Sequence, residues 1–366
     1  MSWFRRGEKR GADKASVADS EREAPSPPPS VKADAERSEP ELEAPPELFD
    51  EKPNRRVPAE IADLFLVLEE HLTEVEQEDI RAIVATIPQP PPLVSRLTNG
   101  LDEPEELRDA ILSSPTLSAD VLRVVNSAAF ALNSPISSIE HAVTYLGTNM
   151  VKGLVVQSVV SQVLTFTTDV QKAAYMRVWR SSYIASATAQ VFAEALGLER
   201  PSIYATRALL VGVGDLALMS TRPDLASIYA PKTTLLSRVE DQQREIMGNS
   251  AVLSALLARE WALPEDLYQA LRYCLTPLTW SPDESERDTE QQRDDALLYF
   301  ACRVGDAVAY GGLRDLADVN VLDEENPDVF YLPDYLRRLD LGGLIGVLRD
   351  PKRTRRIVHT MSAISG

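Results

Sequence analysis

Histidine is nearly absent: the 366 residues hold three, His71, His141 and His359, and none is followed by aspartate. A centre that gathers several imidazoles around a divalent cation is therefore not expected, because such sites need converging neutral donors. Cysteine is as scarce, with Cys274 and Cys302 in unrelated segments and no Cys-x-x-Cys spacing. That excludes a disulfide scaffold and suits buried thiols in a reducing compartment. Basic charge is in deficit, 38 Lys and Arg against 56 Asp and Glu, for a net charge of −18. The overall field would repel a nucleic-acid backbone or an anionic membrane, so no nucleic-acid partner is expected.

Membrane-length apolar runs are missing too. The most apolar stretch, Val151 to Phe166, is interrupted by Lys152, Gln157, Ser158 and Gln162 and is too short to span a bilayer. Arg5, Arg6, Lys9 and Arg10 are followed by no apolar run, so no secretory signal and no membrane insertion are expected, and the expected location is cytoplasmic. No segment sustains the alternating β-branched pattern of strands. With 44% apolar residues the chain can still bury a sizeable core. The fold class expected is all-α.

Composition divides the chain into four parts. Residues 1–56 are rich in Pro, Ser, Glu and Ala and cannot offset their ordering entropy by burial, which predicts a disordered acidic tail. A short partner-binding motif in it would have Trp3 with Phe4, or Leu48 with Phe49, as apolar anchors. Over 57–86, Ile61, Leu64, Phe65 and Leu68 fall on one helical face and predict an amphipathic helix, followed by a second from about Glu76 to Thr86. The prolines of Ile87-Pro88-Gln89-Pro90-Pro91-Pro92 then force a break, and the main boundary is placed there. A large helical domain follows over 87–285, and a C-terminal helical segment over 290–366.

Helix punctuation is dense beyond the break. Ser114-Pro115 reads as an N-cap with proline at the first helical position. Ser137-Ser138-Ile139-Glu140 reads as a capping box centred on Ser137, with Gly147 as the stop. Long helices are expected from Val151 to Leu164, Val170 to Leu196 and Ser202 to Met219. The basic run Lys352-Arg353-Thr354-Arg355-Arg356 is expected at the negative end of the final helix.

The block Val124-Val125-Asn126-Ser127-Ala128-Ala129-Phe130, followed by Pro135-Ile136-Ser137-Ser138-Ile139, resembles the signature of the HDOD family. So do Pro90 to Val94, Ser114 to Ser118, Val178-Trp179-Arg180, Leu209 to Gly214, Trp261 to Pro264 and Arg272-Tyr273. The resemblance covers Ile87 to about Pro277 and implies an all-helical bundle related to HD-domain metal-dependent phosphohydrolases. In that relationship the metal-binding slots fall on Ser181, Val211, Gly212, Ser250 and Cys274. Valine and glycine side chains offer no donor atom, so the resemblance implies a degenerate metal site, no cofactor and no enzymatic activity. Asp215 reads as an early-helix or surface carboxylate, and Gly212 and Gly214 as sites of close helix packing.

Asn126, Ser127, Pro135, Ile136, Ser137 and Ser138 form a candidate interaction or structural signature. Polar groups closing an apolar helix need partners, and the 133–138 loop offers backbone ones. The function expected is that of a non-enzymatic bacterial signal-transduction module with signalling proteins as partners. Two alternatives stay open: a nucleotide sensor that binds cyclic di-GMP or (p)ppGpp without cleavage in the vestigial cleft, and a residual phosphohydrolase.

Overall fold

Side-chain caps start several of the helices in the computed structural model, which describes residues 42–49, 55–89, 96, 103–126, 135–323 and 325–364. Helices follow one another with no strand among the described residues. Two short helices come first, α1 (Ala59–Ala62) and α2 (Glu74–Ala85). Thr73 caps α2 by accepting from the Glu76 amide, and the Glu76 carboxylate accepts from the Thr73 amide in return. Then come α3 (Pro104–Leu112), α4 (Pro115–Val125), α5 (Ile139–Leu146) and α6 (Thr148–Val163). The central helix α7 (Asp169–Ala195) opens on a Thr168–Gln171 capping box and stops before Gly197, whose φ of 66° suits glycine.

After α7 the chain runs through α8 (Pro201–Leu210), α9 (Val213–Thr221), α10 (Leu235–Ile246), α11 (Ser250–Glu260), α12 (Glu265–Tyr273) and the short α13 (Thr276–Thr279). It closes with α14 (Thr289–Ala309), α15 (Leu332–Arg338), α16 (Gly343–Arg349) and α17 (Arg355–Ala363). The single helix expected from Ser202 to Met219 is therefore two, parted at Val211 and Gly212. By length and composition Pro201–Thr221 would cross a membrane, yet 61% of its most apolar window is buried inside the fold. The expected exclusion of any such stretch rested on Val151 to Phe166 and missed this one.

Helix α7 is the axis of the bundle. It packs most extensively on α14 and α8, and it also meets α17, α9 and α6. Phe192 and Phe300, both fully buried, touch across the α7–α14 contact with ring centroids 4.8 Å apart. Residues 42–366 form one compact unit, so the C-terminal helices share a core with what precedes them. The packing is continuous across Ile87 as well, since buried Ile80 and Ile87 belong to the same core as Leu253 and Leu257.

Three expectations about local structure are corrected. Residues 63–68 do not continue a helix from α1: Leu66 and Leu68 are buried while Phe65 points out at 66% exposure, an alternation of extended chain. Side chains from elsewhere satisfy this segment's backbone. Gln243 accepts from the Val67 amide and donates to the Phe65 carbonyl, and Asn249 donates to the Val67 carbonyl. Order also begins earlier than Val57. Leu42 and Leu48 pack on the core, Leu48 at 1% exposure inside the turn Pro46–Phe49, against Gly342 and Gly343, where a side chain would collide. The rest of the expected tail, with Trp3 and Phe4, lies outside the described residues.

The third correction concerns charge. Lys352 to Arg356 open the last helix rather than close it, because α17 begins at Arg355. Cations at a helix N-terminus oppose the macrodipole, so their placement needs another cause.

Candidate functional site

Four of the five positions read as vestigial metal slots come together. Ser181 lies on α7, Val211 and Gly212 at the α8–α9 break, and Ser250 at the start of α11; all four line one small cleft of about 50 Å³. The break between α8 and α9 is what aims them there. The Val211 carbonyl, freed from the helical ladder, accepts from Ser254 Oγ at 2.9 Å, and Ser254 Oγ accepts from the Gly214 amide at 2.8 Å. A Cβ on Gly214 would sit 2.1 Å from the Ser250 carbonyl oxygen, and one on Gly212 would lie 2.8 Å from Val178 Cγ1. Close packing thus accounts for both glycines. Cys274 does not line the cleft. It is buried behind it, and desolvation pushes its thiol well above the ordinary range, with the Cys302 and Asp215 charges adding to the effect.

Side chains that the sequence did not single out fill the centre. Arg238 of α10 and Asp306 of α14 form an ion pair, and Ser181 Oγ donates to the other Asp306 oxygen at 2.6 Å. Arg303 of α14 reaches Asp306 at 3.2 Å and Asp328 at 3.9 Å. The Arg238 guanidinium lies 4.0 Å from the centroid of the Tyr310 ring. Asp328 also holds the start of α10, accepting from the Leu235 and Leu236 amides at 2.7 and 2.9 Å. Desolvation works against the Asp306 charge, yet the two arginines and the Ser181 and Arg238 hydrogen bonds hold its carboxyl below the usual carboxylate range.

Asp215, expected at an early-helix or surface position, does sit in the first turn of α9 but faces this cleft. Its Oδ1 accepts from Tyr229 at 3.0 Å and from Gln242 at 2.9 Å, and Gln242 accepts in turn from the Ser250 amide at 2.8 Å. Burial pushes its carboxyl up to about 6, against the pull of Arg238.

The donor set does not fit a divalent cation. Val211 and Gly212 supply no ligand atom, the one strongly anionic carboxylate is engaged by two guanidiniums, and desolvation raises the Cys302 thiol to about 12. Among the described residues no group of three or more His, Cys, Asp and Glu side chains is placed to hold a metal. The three histidines are exposed.

The other candidate signature is a backbone clamp. Asn126 Nδ2 donates to the Leu122 and Ile136 carbonyls at 2.7 and 2.8 Å, and its Oδ1 accepts from the Ile136 amide at 2.8 Å. Ile136 is buried, whereas Pro135, Ser137 and Ser138 are exposed. The cap of α5 is Ser138, which accepts from the His141 amide at 3.0 Å, one residue later than expected. Glu140 is then the second helical residue, not the third, so the reciprocal box does not form. Ser127 lies outside the described residues.

Of the residues that sequence reasoning missed, Arg303 and Asp306 left a trace. They stand three apart in the otherwise apolar run Leu297 to Ala309, a spacing that puts both charges on one helix face. Arg238 and Asp328 left none, since each sits among other charged residues.

An all-helical bundle in which four of the positions expected as metal slots line one arginine–aspartate network defines the class. Residues 87–277, more than half of the chain, match the HDOD domain. The chain therefore belongs to the HDOD family. It is 27% identical over 195 residues to an uncharacterized protein of Treponema pallidum (strain Nichols), a match covering 51% of this chain and 37% of that relative. The chain thus spans well under two thirds of that relative's length. Among solved structures, it is similar to an HDOD domain protein of unknown function from Geobacter sulfurreducens, with 17% identity, 76% of this chain and 98% of that one covered, and a TM-score of 0.48. It is also similar to a Shewanella amazonensis SB2B protein provisionally named a phosphohydrolase, with 19% identity, coverage of 78% and 98%, and a TM-score of 0.49. The MmoQ response regulator of Methylococcus capsulatus str. Bath gives 18% identity, coverage of 72% and 95%, and a TM-score of 0.35. None of these three likenesses bears on the site.

Proposed function

We propose that this chain is a non-enzymatic regulatory module of bacterial signal transduction that works by binding signalling proteins in the cytoplasm. One observation carries the reading: the cleft lined by Ser181, Val211, Gly212 and Ser250, which we read as the place of the HD metal centre, holds the Arg238–Asp306–Arg303 network, which supplies its own positive charge. A water molecule there would meet guanidiniums and hydroxyls rather than a Lewis acid able to ionise it. The remaining space of about 50 Å³ is also far below the roughly 300–1,000 Å³ of small-molecule pockets. An adjoining cavity of about 540 Å³ shares Arg303, Asp306 and Tyr310 as walls, but Asp318, Asp323, Glu325 and Asp328 line it too. That lining repels phosphates, which counts against a cyclic dinucleotide or (p)ppGpp at this place.

With its interior committed, the domain offers surfaces. The exposed loop residues Pro135, Ser137 and Ser138, held in place by Asn126, are the candidate contact. The experiment is in-cell cross-linking of the full chain beside a Ser137→Arg, Ser138→Arg variant, with turnover of phosphodiester substrates measured in manganese. Expected are a reproducible set of signalling partners that the variant loses, and no turnover. Metal-dependent hydrolysis that disappears on replacing Asp306 would overturn the reading.

A further inference from the structure

On the face of α7 away from the vestigial cleft, a second cavity of about 450 Å³ opens between the α5–α6 junction, α8 and α17. Three helix N-termini contribute to its lining: Gly147 and Thr148 of α6, Arg200 to Ser202 of α8, and Arg356 of α17. None of the three helices has a side-chain cap. Gly147 has no side chain to give, Pro201 has no amide hydrogen, and Thr354 makes no capping bond. Each such terminus carries a partial positive charge of about half a unit and amide hydrogens in need of an acceptor.

Unpartnered polar groups inside the cavity point to a ligand independently. Ser186 and Thr360 are each only 5% exposed, line the cavity, and make no side-chain hydrogen bond among the described residues. Gln190 Oε1 is buried without a partner, while its Nε2 donates to Glu194 at 2.8 Å. That donation to a carboxylate identifies the unpartnered end of the amide as its oxygen. The buried, unmatched Gln190 oxygen costs on the order of 1–3 kcal/mol, and an occupant that bonds Ser186 and Thr360 would give those hydroxyls the partners that the described residues do not.

Arg356, alone of the misplaced basic run, lines this cavity. Arg356 stands at the N-terminus of α17, where its charge opposes the dipole, and reaches Glu194 at 2.7 Å across the cavity wall. Arg200 stands at the rim. Glu194 and Glu199 line the cavity as well, so the side-chain charges balance and the helix ends decide its sign.

We propose that this cavity binds a small phosphate-bearing molecule. Ser186, Thr360 and the free amides of α6, α8 and α17 would donate to the phosphate, with Arg200 and Arg356 at its edge. Gln190 Oε1 is an acceptor, so the ligand also presents a donor, which a protonated phosphate oxygen supplies. Sulfate, fully deprotonated at neutral pH, has none. The ligand bridges the first helices of the domain to the last, and α7 carries both this site and the vestigial cleft.

The test titrates the full chain with inorganic phosphate and with sulfate, followed by calorimetry and phosphorus-31 line widths. Saturable phosphate binding with Kd on the order of 0.1–1 mM is expected, and sulfate binding weaker by about tenfold. Ser186→Val and Arg356→Gln should each weaken phosphate about tenfold with an unchanged circular-dichroism melt; Gln190→Leu should bring phosphate down to the level of sulfate. Absence of saturation, or binding that both Ser186→Val and Arg356→Gln leave intact, overturns the site. Equal binding of sulfate by the wild-type chain overturns the assigned role of Gln190. Binding to phosphatidate vesicles without binding of free phosphate would make the anion a lipid headgroup and overturn the small-molecule assignment. These outcomes are independent of partner binding at the 135–138 loop.

Discussion

Arg238 and Asp306 pair across the cleft from two different helices, and Ser181 on a third donates to the remaining oxygen of that carboxylate. The three groups come from three helices, so the network ties α10 to the extensive α7–α14 contact. It lies among the positions expected from the family resemblance to be metal slots, and it cross-links three helices.

Stability should register this asymmetrically. Asp306→Asn strips the charge that faces both Arg238 and Arg303, leaving buried Arg238 without its partner carboxylate and Arg303 with only Asp328 at 3.9 Å, at a cost of roughly 3–5 kcal/mol. Arg238→Met leaves Asp306 still paired with Arg303 at 3.2 Å, so a smaller loss of about 1–3 kcal/mol is expected. Urea unfolding of both variants measures the order. A larger loss for Arg238→Met would show that the tyrosine contact, not the shared carboxylate, dominates.

The bundle was legible because its signals are local. Signals such as Ser114 before Pro115 and Gly147 after α5 declare themselves over three or four residues, and hydrophobic spacing supplies the faces. Residues 63–68 misled because Ile61, Leu64, Phe65 and Leu68 match a helical period, while their actual conformation is dictated by Gln243 and Asn249, about 180 residues away. The cleft was half legible for the same reason. Its walls could be mapped slot by slot from family resemblance, but the arginines that fill it come from other helices and follow no local pattern.

Restoring ligands should not restore a metal. Val211→His with Gly212→Asp rebuilds the dipeptide, but the Cβ at 212 would lie 2.8 Å from Val178 Cγ1 and 2.9 Å from Ser182 Oγ. The guanidiniums of Arg238 and Arg303 would remain and repel a dication at close range. The double variant is expected to be destabilised by about 1–3 kcal/mol and to bind no manganese by elemental analysis after desalting. Stoichiometric manganese would refute the claim that the arginines replace the ion.

Acid should reveal Asp215. Burial raises its carboxyl from 3.8 to about 6, and Asp295 is raised by burial to about 7 against the pull of Arg287. A raised carboxyl favours the folded state fully below its unfolded pKa and loses that contribution as pH rises through the folded value. For Asp215 the window runs from 3.8 to about 6. Asp306, lowered, acts in the opposite sense and only below its ordinary 3.8. Asp215→Asn should therefore remove about 3 kcal/mol of the stability lost by the wild-type chain between about pH 4 and pH 7. Urea midpoints at the two pH values, compared between the proteins, give the difference directly; parallel pH profiles would contradict it.

Asn126 gives the last prediction, because its side chain serves as a piece of backbone. It closes two hydrogen bonds on Ile136 in the manner of a strand partner, plus one on Leu122. Asn126→Ala should leave the Ile136 amide and carbonyl unmatched at a cost of about 1–3 kcal/mol. Asn126→Asp keeps the acceptor for the Ile136 amide but turns a carboxylate oxygen toward the Ile136 carbonyl, two acceptors face to face, so it should be no better than alanine. Hydrogen exchange separates this from a global effect. The Ile136 amide should lose protection in both variants while amides of α7 keep theirs, since the clamp holds a loop and not the core. Uniform loss across both regions would instead make Asn126 part of the core's own stability. If the 135–138 loop is the contact for partners, the same variants should weaken partner binding without touching its exposed residues, through the loop's freedom alone.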